Sequence, residues 1–147
     1  MTTTLRTFTT ANPTASKDVV VEGNAWRADC YKAQSFQLFE LPNPGVEGCI
    51  ILYRAKLRSE ELVGRAYLEM WCRLPNGGEF FSKGINQAIT GSNDWVASEI
   101  PFILQQGEKP DLIRLNLAVE NATWLWKKTD AGTLWVKDVE LARAPLR

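Results

Sequence analysis

The stretch Gly132-Thr133-Leu134-Trp135-Val136-Lys137-Asp138-Val139-Glu140-Leu141 decides how this chain folds. It is an extended apolar run, yet its alternation does not hold from end to end. Leu134 and Val136 share one parity, whereas Val139 and Leu141 share the other. A strand keeps one face buried only while its apolar residues stay in phase, so a phase change in mid-strand predicts a β-bulge at Lys137-Asp138.

The rest of the chain repeats the signal. Extended segments are expected at Asp18 to Glu22, Trp26 to Cys30, Phe36 to Leu41, Cys49 to Arg58, Arg65 to Leu74, Glu79 to Phe81, Trp95 to Leu104 and Leu112 to Glu120. Turn residues separate them, as in Pro42-Asn43-Pro44-Gly45 and Pro75-Asn76-Gly77-Gly78. Pro101 cannot donate to a ladder, which places its strand at an edge or a bulge. The one helical signal is a single turn at Ser59-Glu60-Glu61-Leu62-Val63. The pattern predicts an all-β sandwich or barrel. Residues 17–147 form that single domain, and 1–16 read as a flexible Thr-rich tail or, in part, an added edge strand.

Composition removes several functions. Seventeen basic residues balance 17 acidic ones, so no net field draws nucleic acid. No run nears the ~18 apolar residues of a membrane-spanning helix. There is no histidine, which excludes Ser-His-Asp and Cys-His pairs and histidine zinc ligands. Cys30, Cys49 and Cys72 are too widely spaced for a cysteine-only zinc site and read as buried free thiols, with one bridge as the alternative. An odd thiol count and no signal peptide favour a reducing, cytoplasmic compartment.

Strand faces supply the candidate site. In the Arg65 strand, Ala66, Leu68, Met70, Cys72 and Leu74 form an apolar row, opposite Tyr67, Glu69, Trp71 and Arg73. Aromatic faces beside charged and amide side chains suit a sugar: ring C–H patches lie on the aromatics and hydroxyls bond to the polar groups. Arg54, Asn116 and Glu120 join if their strands are neighbours. The alternative is a solvated outer face of cross-strand ion pairs, or aromatics under a cover. Trp124 and Trp126 share one side of a short piece and make a second platform, or a hairpin folded back on the sandwich. Trp95 and Trp135 read as core. Asp138 at the bulge, with Glu22, can offer carboxylates to a calcium ion that otherwise uses backbone carbonyls. No cofactor is required. A Glu69–Glu120 pair for glycoside hydrolysis is the catalytic alternative, weakened by the missing histidine.

Several segments resemble one family. Val21-Glu22-Gly23-Asn24-Ala25-Trp26, Tyr53-Arg54-Ala55-Lys56-Leu57-Arg58, Asp94-Trp95 through Ile100-Pro101-Phe102, and the closing strand 133–141 are similar, in that order, to jelly-roll carbohydrate-binding modules. The broader group is the galactose-binding-like β-sandwich. The resemblance implies an antiparallel β-sandwich, a jelly roll of two packed sheets with roughly 8–10 strands, that is non-catalytic and binds a glycan on a sheet face or at loop tips, with Asp138 in the place of a structural calcium ligand. The alternative partner is another protein, including a second copy of the chain.

Overall fold

The phase change is a bulge. Arg54 pairs with Glu140 and Lys56 with Lys137, so Ala55 alone faces two residues of the closing strand. Asp138 takes the extra position with φ of 54°, a left-handed conformation that Asp tolerates better than most residues. The computed structural model describes residues 1–120 and 132–146.

The described residues hold nine strands: β1 (Thr3–Phe8), β2 (Val19–Glu22), β3 (Ala25–Asp29), β4 (Gln34–Pro42), β5 (Cys49–Arg73), β6 (Glu79–Lys83), β7 (Ile89–Leu104), β8 (Leu112–Glu120) and β9 (Thr133–Pro145). A 3-10 turn at Ile85–Gln87 is the one helical piece among them. None of their helices is long and apolar enough to cross a membrane. All strands belong to one antiparallel sheet ordered β2-β3-β9-β5-β8-β4, with β1 on β9 and both β6 and β7 on β5.

Strand β5 turns this one sheet into two layers. Its first half pairs with β7 and β9, and its second half with β6 and β8. The two apolar stretches read separately in the sequence are therefore one 25-residue strand. The segment expected as a helical turn, Ser59 to Val63, is extended. Glu61 at φ 51° and Gly64 at φ 88° redirect the chain there, and Leu62 pairs with Gly91 and enters the core. A helix would have pulled Leu62 out of that core.

The inner rows are those expected from alternation. Ile51, Tyr53 and Leu57 of β5, Leu68, Met70 and Cys72 further along it, Ile113, Leu115, Leu117 and Val119 of β8, and Leu134, Val136, Val139 and Leu141 of β9 are all buried in one cluster. Burial of such side chains contributes about 1.5–3 kcal/mol each. Pro101 lies in β7, which pairs with β5 alone and so is an edge strand. Cys30, Cys49 and Cys72 are all buried.

The Thr-rich start takes the edge-strand alternative. Thr3–Phe8 pairs with β9, and Phe8 stacks on Phe39 with ring centroids 4.1 Å apart. Ala15 and Ser16 then donate their N–H groups to Leu38 and Gln37, strapping the outer edge of β4.

Candidate functional site

Alternation along β5 sends Tyr67, Glu69, Trp71 and Arg73 to the outer face of the second layer, and strand register surrounds them. Across β8 they oppose Ala118, Asn116, Arg114 and Leu112. On the other side Glu69, Trp71 and Arg73 oppose Lys83, Phe81 and Glu79 of β6. Asn116 in turn opposes Gln37 of β4. Thus the predicted row and Asn116 meet on one face, with Glu120 at one end.

This face is polar and yet closely packed. Glu69 is 7% exposed; its Oε1 accepts Asn116 Nδ2 at 3.0 Å and Ser35 Oγ at 2.9 Å. Lys83 Nζ stands 3.9 Å from the other carboxylate oxygen. Asn116 is 5% exposed, and its Oδ1 is buried with no hydrogen-bond partner among the described residues. A buried acceptor left unmade is disfavoured by about 1–3 kcal/mol. Tyr67 donates its hydroxyl to Glu120 Oε2 at 2.6 Å. Burial, and then that hydrogen bond, raise the Tyr67 phenol far above its ordinary range. The same bond, with Arg65, lowers the Glu120 carboxyl.

Trp71 is not an open platform. It is 7% exposed, its Nε1 donates to Glu79 at 3.2 Å, and the Arg114 guanidinium lies 4.4 Å from its ring centre. The exposed aromatic is its cross-strand neighbour Phe81, 56% exposed, with Lys83 Nζ 5.2 Å from the ring. Phe81, Lys83, Arg114 and Ser35 escaped the sequence reading. For Phe81 a signal existed: Glu79, Phe81 and Lys83 alternate with Phe80 and Ser82, so one aromatic of the pair had to point outward. What alternation lacks is the register that brings β6 beside Trp71.

Charge on the face is compensated locally. Arg65 meets Glu120 at 2.6 Å, Arg73 meets Asp111 at 2.8 Å, and Arg114 meets Glu40 at 2.6 Å. Beyond Asp111 the row runs into a hollow of about 410 Å³ lined by Asn43, Val46, Pro75, Lys109 and Pro110.

Other expected site residues lie elsewhere. Arg54 is on the outer face of the first layer, between Glu99 and Glu140, because it sits in the half of β5 that pairs with β7 and β9. Trp95 and Trp135 also face outward there rather than into the core. Lys137 Nζ is 4.3 Å from the Trp95 ring, and Arg58 is 4.4 Å from that of Trp135. Trp124 and Trp126 lie outside the described residues. Glu22 is engaged by Arg27 and by the Trp135 indole N–H, and Asp138 by Lys56 at 3.4 Å. A calcium ion takes about 6–8 oxygens, and two acids each answered by a basic side chain do not fit that donor set. Among the described residues no group of three or more His, Cys, Asp or Glu side chains is placed to hold a metal.

No protein-family model matches the chain, and no curated protein does. Solved structures match its fold. A CBM4 carbohydrate-binding module superposes with a TM-score of 0.57 at 9% identity, over 89% of this chain and 78% of that one. The CBM22-1 xylan-binding domain of Paenibacillus barcinonensis Xyn10C gives 0.54 at 12% identity, over 98% and 96%. A chain of infectious bursal disease virus, Gx strain, gives 0.52 at 14% identity, over 94% of this chain and 31% of its own length. The chain therefore has the jelly-roll fold of carbohydrate-binding modules, one that a viral protein shares.

Proposed function

We propose that the chain is a non-catalytic carbohydrate-binding domain whose site is the outer face of β5, β6 and β8. One observation carries this reading: the exposed Phe81 ring sits in register beside a buried hydrogen-bonding floor of Glu69, Asn116 and Tyr67. A sugar ring presents just that pairing, with C–H patches for the aromatic and hydroxyls for acceptors such as Asn116 Oδ1. Because Arg65, Arg73, Lys83 and Arg114 each have a carboxylate neighbour, the ligand that fits is a neutral glycan. The xylan-binding neighbour supports the reading by fold alone, since fold does not fix function. Catalysis does not fit. Glu69 is held by Ser35 and Asn116 and Glu120 by Tyr67 and Arg65, which leaves neither carboxyl free to shuttle a proton.

The test is affinity electrophoresis through gels containing neutral polysaccharides, xylans and β-glucans among them. The wild type is expected to be retarded in at least one. Phe81→Ala, which removes an exposed side chain, is expected to weaken retention about tenfold, or ~1.4 kcal/mol, with an unchanged melting temperature. Equal retention of wild type and variant would remove Phe81 from the site. Trp71→Ala is the poorer test because Trp71 is buried, and its loss disturbs the fold as well as the face.

A second reading, a protein-binding sandwich, has its own observation. Phe80 and Ile103, 44% and 55% exposed, stand on the edge strands β6 and β7. No retention in any gel, together with a dimer by light scattering, would favour it.

A further inference from the structure

The free edge of β7 is closed by a side chain that the glycan face does not use. Among the described residues β7 bonds to β5 alone. At 16 residues it is long for an edge strand, since strands usually run about 3–10. Such an edge offers a row of unpaired N–H and C=O groups to any other strand. Leu52 lies opposite Pro101, and a proline cannot donate to a ladder, so residue 101 turns its backbone away from β5. No bulge interrupts the pairing with β5 from Val96 to Leu104. By the two-residue period of a strand, Ala97, Glu99 and Ile103 therefore turn the same way as Pro101.

Gln87 fills the middle of this edge. The Glu99 N–H donates to Gln87 Oε1 at 3.0 Å, and Gln87 Nε2 donates back to the Glu99 carbonyl at 2.8 Å. A residue on a neighbouring antiparallel strand would exchange the same two bonds. The hydroxyl of Ser98, itself 6% exposed, donates to the same Oε1 at 3.0 Å and so fixes which way round the amide sits. Next along, Ser82 Oγ donates to the Pro101 carbonyl at 2.6 Å. Ala97 and Ile103, both exposed, keep no backbone partner on this side among the described residues. The stop is lightly held: Gln87 ends the 3-10 turn Ile85–Gln87, none of whose residues is buried.

We infer that the β7 edge is a self-pairing surface held shut by Gln87, and that the strand it excludes is β7 of a second copy of this chain. The open positions, Ala97 and Ile103, lie equally far to either side of Ile100. A twofold axis at Ile100 sets Ala97 of each copy against Ile103 of the other, and Glu99 against Pro101. The Ala97–Ile103 pairs then exchange both bonds, and each Pro101 carbonyl accepts a Glu99 N–H. No two Glu99 carboxylates are brought opposite each other. Only the Gln87 amide and the Ser82 hydroxyl stand in the way. None of this rests on the glycan reading of the other face.

Sedimentation velocity over a concentration series tests the lock. Wild type is expected to stay monomeric. Gln87→Ala should dimerise about tenfold more tightly than wild type, or more. Gln87→Glu, which keeps the size but loses the Nε2 donor, is the second opening variant and should shift the same way. Adding Ile103→Pro to Gln87→Ala removes an N–H that faces the free edge, leaves the bonds to β5, and should restore the monomer. Gln87 and Ile103 are exposed, and melting temperatures report that each variant is folded. Opening variants as monomeric as wild type overturn the inference. So does a dimer that survives Ile103→Pro, or a wild type that already pairs as tightly as Gln87→Ala.

Discussion

Tyr67 shows how an outward side chain can be as buried as a core one. Its ring lies on the outer face, is 2% exposed, and is held by the Glu120 carboxylate. The Glu120 carboxyl is lowered from its ordinary value of 4.5, first by the Tyr67 hydrogen bond and then by Arg65. A carboxyl lowered on folding stabilises the native state above its ordinary value, and that contribution is lost as pH falls through the lowered value. Tyr67→Phe should therefore melt below wild type at pH 7, with the gap narrowing as pH is taken down from 4.5. Melting curves from pH 7 to 2.5 read this directly, and a gap of constant width would refute the link between the two residues. Alternation foretold that Tyr67 and Glu69 share a face. It left cover open only as an alternative, because the partners that close over Glu69, Ser35 and Lys83, stand on other strands whose register alternation does not give. Trp135 was misread for the opposite reason: an apolar run hides which of its members face out, although Leu134 and Val136 beside it already claimed the inner parity.

At the scale of an element, the bulge in β9 and the bend in β5 are one problem of curvature solved twice. Both use residues with positive φ, Asp138 in one strand and Glu61 with Gly64 in the other. The bulge was legible because an extra residue inverts the parity of everything after it, and Val139 and Leu141 record that inversion. The bend was not, since Ser59-Glu60-Glu61-Leu62-Val63 has charges where a helix turn would have them, and only register with β7 shows it to be extended. Asp138 tests the bulge. A β-branched residue is strained at φ 54°, so Asp138→Val should destabilise by about 1–3 kcal/mol, while Asp138→Asn should stay close to wild type. Chemical denaturation of the two variants decides it. Equal midpoints for both would mean that the left-handed position is not what shapes this strand.

For the whole molecule, the consequence of folding one sheet over itself is an uneven distribution of stability. Strand β5 is bonded to β6, β7, β8 and β9. Peeling away any one of these leaves it paired, so its inner amides are released only when both layers come apart. The edge strands β2 and β6 each hold to a single neighbour, and β2 exposes Val20 and Val21 at 54% and 56%. Local opening draws on such weakly held elements. Native-state hydrogen exchange should therefore find Leu68 and Met70 of β5 and Leu115 and Leu117 of β8 exchanging with the free energy of global unfolding. Amides of β2 and β6 should exchange through smaller openings, on the order of tenfold faster or more. Exchange from β6 as slow as that from the centre of β5 would contradict this hierarchy. The gradient bears on the proposed site as well, because Phe81 rides on β6 while Glu69 and Asn116 are fixed in the paired interior of β5 and β8. A ligand bridging Phe81 to that floor must tie the weakest strand of the face to the strongest. Added glycan should thus slow exchange in β6 far more than in β5, whose protection is already set by global unfolding.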